Sequence, residues 1–251
     1  MRLWRIYVRL GMQDLRLRFR RSFFGVSWIF INLAVTIALV GVVFGTLFEQ
    51  ELSHFLPFLT AGLVIWGFFN SALSEGGNAF LNAEGYIKQI GLPIYIYIFR
   101  SVVSITLTLL ISLLVYVIVA AVFRVPFGFG MLWAFAGLLF LVLYALFFSL
   151  IFAFLIPRYR ELNHILYAGM QILFYITPII YPPEILRARG FNIIFDINPF
   201  YHFIEVMRHP LLKAEMASAE SYLFSALFLL AMALAAILVA IKMRRRLVYY
   251  L

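Results

Sequence analysis

The chain contains no cysteine. Disulfides, thiolate metal sites and thiol nucleophiles are therefore excluded. Charge is scarce as well. Asp, Glu, Lys and Arg make up only 12% of the 251 residues, and six long stretches hold none of them: 28–48, 57–74, 101–123, 131–156, 165–181 and 221–241. An ionised side chain at mid-bilayer costs at least ~2.5–3.5 kcal/mol, and chains keep one there mainly for use. These stretches offer no proton relay, ion site or buried acid–base pair. No G-x-x-x-x-G-K-[S/T] motif is present, which excludes ATP binding by a P-loop, and G-x-S-x-G and H-E-x-x-H are absent too.

What remains is grease. Hydrophobic residues reach 65% of the chain, against ~45–50% in a soluble domain. A hydrocarbon core of ~30 Å needs about 20 helical residues, and the fifth stretch only just qualifies. The expectation is an all-α membrane protein forming one domain over 1–251, with spans at about 28–48, 57–74, 98–123, 131–156, 165–181 and 221–241. The N-terminus does not read as a cleaved signal peptide, because its charged stretch is long and no small-x-small site follows the first apolar run. The net charge of +9 sits beside the spans, where it faces lipid headgroups rather than nucleic acid. Counted on alternate sides of the spans, Lys and Arg number 15 on the side of both termini and 5 on the other. That asymmetry predicts cytoplasmic termini.

Residues 1–27 read as an amphipathic helix lying in the interface, with Arg2, Arg5, Arg9, Arg16 and Arg20 on one stripe and Leu3, Trp4, Tyr7, Val8 and Leu15 opposite. Asp14 and Arg18 stand four apart, where they can pair. In span one, Ala34, Ala38, Gly41 and Gly45 share a face and allow close approach of another helix, in the same bundle or across a dimer axis. Ser101, Thr108 and Ser112, with Ser104 between them, form a hydroxyl stripe expected to bond to backbone carbonyls. The short segment 75–93 mixes polar residues with Phe80, Leu81, Tyr86, Ile87 and Ile90. Exposed apolar surface of that kind suits docking. Residues 184–212 fall into two half-length apolar pieces, split by Asp196 and Asn198. They predict an outer re-entrant hairpin. His202, Glu205 and His209 stand at i, i+3 and i+7, a spacing zinc could use. Pro210 follows at once, and no metal is assigned.

Several motifs together resemble the bacterial polysaccharide ABC exporter permeases, of the O-antigen, capsule and teichoic-acid type. They are Arg20-Arg21-Ser22-Phe23-Phe24-Gly25-Val26-Ser27-Trp28, Pro157-Arg158-Tyr159-Arg160-Glu161-Leu162, the run Tyr175 to Pro182, and Asn198-Pro199-Phe200-Tyr201 through Leu212. Asn32-Leu33 departs from the pattern, since many members carry Pro after Asn. The resemblance implies a homodimeric permease in the bacterial inner membrane, multi-pass, that exports a lipid-linked polysaccharide, with O-antigen first among the cargoes. Two separate ATPase subunits would supply ATP and Mg, so this chain itself needs no cofactor and catalyses nothing. It implies ATPase docking through about Asn82–Leu92, with Asn82, Glu84, Tyr86, Lys88 and Leu92 as contacts, and an outer gate at Phe200, Tyr201 and Phe203. For a channel whose walls stack on sugar rings, the candidates are Phe30, Trp66, Phe69, Phe174, Tyr175 and Tyr181. Two other classes stay open. An ion-coupled carrier or channel would have to use Asn32, Asn70 and Gln171, and a membrane enzyme acting on lipid-linked sugars would have to use His202, Glu205, His209 or Asp196.

Overall fold

A computed structural model describes residues 8–14, 22–89, 92–244 and 247–251. Among them there are helices, turns and extended connections and no strand. In hydrocarbon every backbone N–H and C=O must find an internal partner, and a helix supplies those partners locally. Residues 8–14 form α1. The long helices are α2 (Ser27–Leu47), α3 (Leu52–Ser71, prolonged by a π turn at Ala72–Gly76), α5 (Tyr95–Val122), α6 (Trp133–Arg158, entered through a 3₁₀ turn at Phe129–Leu132) and α11 (Ala219–Met243). Between them lie α4 (Glu84–Gln89), α7 (Glu161–Ile176), α8 (Pro183–Arg187), α9 (Ile193–Asp196) and α10 (Pro199–Lys213), with α12 (Leu247–Tyr250) last.

Among the described residues, five helices are long and apolar enough to cross a membrane, one fewer than the sequence predicts. The shortfall is the fifth run. Its helix covers Glu161–Ile176 instead of 165–181. Pro178 is the cause, since a residue before proline is pushed out of the α region. Thr177 accordingly takes ψ 134° and ends the helix. At 1.5 Å per residue α7 is only about 24 Å long.

Other boundaries shift less. α3 starts at Leu52 rather than 57, because Pro57 in the second turn forfeits only one i→i−4 bond. Residues 22–26 are bends and turns outside any helix, so the interfacial helix does not run unbroken to 27. Of the basic stripe, Arg9 is exposed; Arg2, Arg5, Arg16 and Arg20 lie outside the described residues.

The core sits where α10 is wedged among α3, α6 and α11. Leu59, Ile65, Phe69, Leu73, Leu141, Tyr144, Phe203 and Ile204 are buried there. α10 can lie this close to α6 because of Gly137: a Cβ at that position would come within 2.8 Å of the Met207 Cα. A second cluster closes the opposite end, where Phe80, Tyr97, Ile98, Phe154, Met243 and Leu247 meet. Of the four small residues of α2, Gly41 and Gly45 serve contacts within the chain, while Ala34 and Ala38 are exposed. A Cβ on Gly41 would strike Leu56, and one on Gly45 would strike Leu52. The other faces of α2 and α11, including Leu39, Val43, Leu227 and Leu234, are exposed, as lipid-facing surfaces are.

Candidate functional site

Ring contacts with α3 trace the path of residues 182–208. Pro182 and Pro183 line a cavity of about 200 Å³ together with Phe55 and Phe58, near the start of α3. Asn198 is back beside Thr177. Phe200 then lies 4.9 Å from Phe69, near the far end of α3. Arg208 returns to Phe58, its guanidinium 4.1 Å from the ring centre. From Phe58 to Phe69 is about 16 Å of helix, so the chain dips by about half a hydrocarbon thickness and comes back.

The dip meets the break after α7 and satisfies it. Asn198 caps α10, its Oδ1 accepting from Phe200 N at 3.0 Å and Tyr201 N at 3.4 Å. Pro199 follows at the first helical position, where its missing N–H costs nothing. Asn198 Nδ2 donates to Thr177 Oγ1 at 2.9 Å. Arg208 Nη1 donates to the Pro178 carbonyl at 2.8 Å and Nη2 to Glu205 at 3.1 Å. Tyr181 Oη donates to the Ile176 carbonyl at 2.7 Å. The carbonyls of Ile176 and Pro178, at the break, are thus taken up by side chains. Arg208 is only 1% exposed.

At the bottom of the dip the aromatic candidates divide. Trp66, Phe69, Phe174, Phe200 and Phe203 converge: Trp66 lies 5.6 Å from Phe174 and 5.7 Å from Phe200, and Phe69 lies 6.3 Å from Phe203. Tyr144 joins them 5.0 Å from Phe69. Phe69 and Phe203 are each 1% exposed, so within one chain this is a closed aromatic plug. Tyr201 is tied off separately, its hydroxyl accepting from Arg187 at 3.0 Å. Phe30 stands apart, in a groove with Ala34, Ile37 and Val115. Tyr175 is exposed. Tyr144 could have been found, since it is a lone tyrosine in the otherwise apolar Leu138–Phe148 stretch. Arg208 enters the charge count only as a loop cation, although it stands three residues after Glu205, a helical spacing that allows a pair.

The residues an enzyme or metal reading would use have structural roles. His202 stacks on Phe224, with Nδ1 3.1 Å from Ser221 Oγ and Nε2 3.1 Å from the Asp196 carbonyl. His209 pairs with Glu205 at 3.2 Å. Among the described residues no group of three His, Cys, Asp or Glu could hold a metal ion.

The end of the molecule carrying the second core cluster presents α4. Asn82, Tyr86 and Lys88 are exposed, Glu84 and Leu92 half-buried. Lys88 Nζ donates to Glu84 at 2.6 Å and to the Leu251 carbonyl at 2.8 Å. That ammonium, by hydrogen bond and by charge, holds the Glu84 carboxyl below its usual range. Behind α4, Arg100 makes a two-point pair with Asp14, joining α1 to α5. Asp14 therefore has a long-range partner in Arg100; Arg18, its i+4 candidate, lies outside the described residues. Tyr86 lies 5.6 Å from the Arg100 guanidinium. Ser104 donates to Glu75, in the π turn, at 2.9 Å. Ser101, Thr108 and Ser112 bond to carbonyls of their own helix.

Comparison with known sequences agrees with this architecture. A family model described as "ABC-2 type transporter" matches residues 7–212. The chain is 22% identical over 199 residues to the "O-antigen export system permease protein RfbA" of Myxococcus xanthus, covering 77% of this chain and 75% of that one. Two proteins of the same name from Klebsiella pneumoniae are 24% and 23% identical over 209 and 203 residues, each match covering 80% of this chain and 78% of the relative.

Proposed function

The chain belongs to the ABC-2 type transporter family, and on that premise we propose that it is the permease subunit of an ATP-driven exporter carrying a lipid-linked polysaccharide, O-antigen, across the bacterial inner membrane. Two copies enclose the path and two separate ATPase subunits dock on the cytoplasmic face; α7 with residues 177–181 after it makes a sixth crossing beside the five long helices, so both termini lie on that face. The cargo reading is supported by the names of the relatives, O-antigen export permeases matched over about three quarters of their length.

The observation that carries the reading is α4. It is a two-turn helix between α3 and α5, with no residue of its own buried and its Glu84–Lys88 pair in the open. Phe80, fully buried against Phe154 at 4.8 Å, roots the segment just before it. A rigidly rooted, outward-facing polar helix suits a surface on which a soluble motor pushes. The long helices carry no charged coupling group through their middles, which agrees with a driving force that arrives from another polypeptide.

Co-expression with a cognate ATPase tests the reading. The purified complex should hydrolyse ATP and the chain alone should not. Replacing Glu84 and Lys88 together with Ala should weaken co-purification without changing the elution of the permease. Full recovery of the ATPase with the double variant would remove α4 from the docking surface.

A further inference from the structure

A groove of about 530 Å³ runs between α5, α6 and α11, and no residue of the aromatic plug or of α4 lines it. Ile98 of α5, Phe147 and Leu150 of α6 and Ala236 and Ala240 of α11 form its walls. Apart from Tyr95, its lining is apolar until Arg244. The groove exists because α11 presents small side chains here: Ala233, Ala236 and Ala240 recur at helical spacing on one face. From Ala233 to Arg244 is about 16 Å of helix, the hydrocarbon depth of one bilayer leaflet. Arg244 closes that length with a cation that has no hydrogen-bond or ion-pair partner among the described residues.

An apolar trough one leaflet long, ending in a guanidinium without a partner among the described residues, complements a particular ligand: an acyl chain with a negative phosphate at its end. We propose that this groove is a binding site for one phospholipid with a net negative headgroup, drawn from the surrounding bilayer. The acyl chain lies along the alanine face and Arg244 holds the phosphate. The site rests only on the chain being embedded in a bilayer and is independent of the export reading.

Native mass spectrometry of the purified full chain, offered phosphatidylglycerol or phosphatidylcholine with identical acyl chains, tests the site. The wild-type chain should retain phosphatidylglycerol about fivefold better, the equivalent of ~1 kcal/mol for one cation at an anionic surface. Arg244→Gln should erase that preference and Arg244→Lys should keep it. Ala240→Leu fills the trough and should lower retention of both lipids, while Ala240→Gly should not. A phosphatidylglycerol preference that survives Arg244→Gln would overturn the headgroup assignment. Undiminished retention in a folded Ala240→Leu chain would overturn the trough. The chain has no cysteine, so a single Ala240→Cys also reports a protein occupant. A disulfide-linked dimer of that variant in membranes would mean that a second copy, not lipid, fills the groove.

Discussion

Arg208→Met is the most telling single change. The substitution keeps an unbranched side chain of similar length and removes the charge. Three interactions disappear. The hydrogen bond to the Pro178 carbonyl at 2.8 Å is charge-assisted, a class worth about 1.5–3 kcal/mol. The guanidinium over Phe58 at 4.1 Å is worth ~1–2 kcal/mol where desolvated. The Glu205 contact counts for less, since that carboxylate keeps a fifth of its side-chain surface in the open and retains His209. Together the loss should be about 3–5 kcal/mol, the usual cost of breaking a buried pair from one side. For a chain of this size each kcal/mol moves the melting temperature by about 2–4 °C. The apparent melting temperature in a size-exclusion thermostability assay should therefore fall by roughly 10 °C, with Arg208→Lys falling between Met and wild type. Met melting within about 2 °C of wild type would show that the break after Ile176 does not depend on this side chain, and the interlock described above would be wrong.

Other perturbations read other parts of the interlock. Asn198→Ala removes the cap of α10 and the bond to Thr177, and should cost about 1–2 kcal/mol in the same assay; a neutral result would contradict the capping role. Gly137→Ala places a Cβ 2.8 Å from the Met207 backbone and should cost about 1–3 kcal/mol by overpacking, whereas Gly169→Ala, which meets nothing within 4 Å, should be silent. Phe69→Ala should impair both thermostability and polymer export, because its ring is buried in the plug; Tyr175→Ala, on an exposed ring, should leave stability unchanged and alter export only if that face lines the path in the assembled transporter. Lowering pH should weaken the Glu84–Lys88 contact only in acid, since the Glu84 carboxyl is held below its usual range: its contribution is full above the unfolded-state pKa and is lost as pH falls through the lower folded value. Co-purification of the ATPase should then be indifferent to pH between 6 and 8, and a change within that window would indicate another group.

The long helices were legible because lipid makes apolar length a nearly sufficient signal: α2, α5, α6 and α11 start and end within three residues of the charge-free runs or the spans drawn from them. The division of 184–212 into short pieces was legible, since α9 and α10 meet at the Asp196 and Asn198 split; the role of Asn198 as the cap of α10 was not read from the sequence. What hydropathy misreads is 165–181. Averaging over that window hides Pro178, whose local effect on Thr177 outweighs the apolar neighbours on either side. The partners of the break were not legible, because Arg208 and Asn198 act across 30 and 21 residues of chain and no periodicity links them. The aromatic candidates illustrate the same limit. Composition marks a residue as bulky and apolar, but only tertiary contacts separate Phe69, at the centre of the plug, from Tyr175, facing out. Asp14 likewise pairs with Arg100, 86 residues away and on another helix, a partner that no local spacing points to.

The proline break also constrains how the molecule is born. Pro178 leaves the ribosome 30 residues ahead of Arg208, a lag of roughly 2–6 s at ordinary synthesis rates. Throughout that interval the nascent chain holds a bare carbonyl and a truncated helix that cannot settle in oil by itself. The insertion machinery must shelter this piece until the arginine arrives, so biogenesis here is expected to release α7, the dip and α10 to the membrane as one parcel rather than one helix at a time.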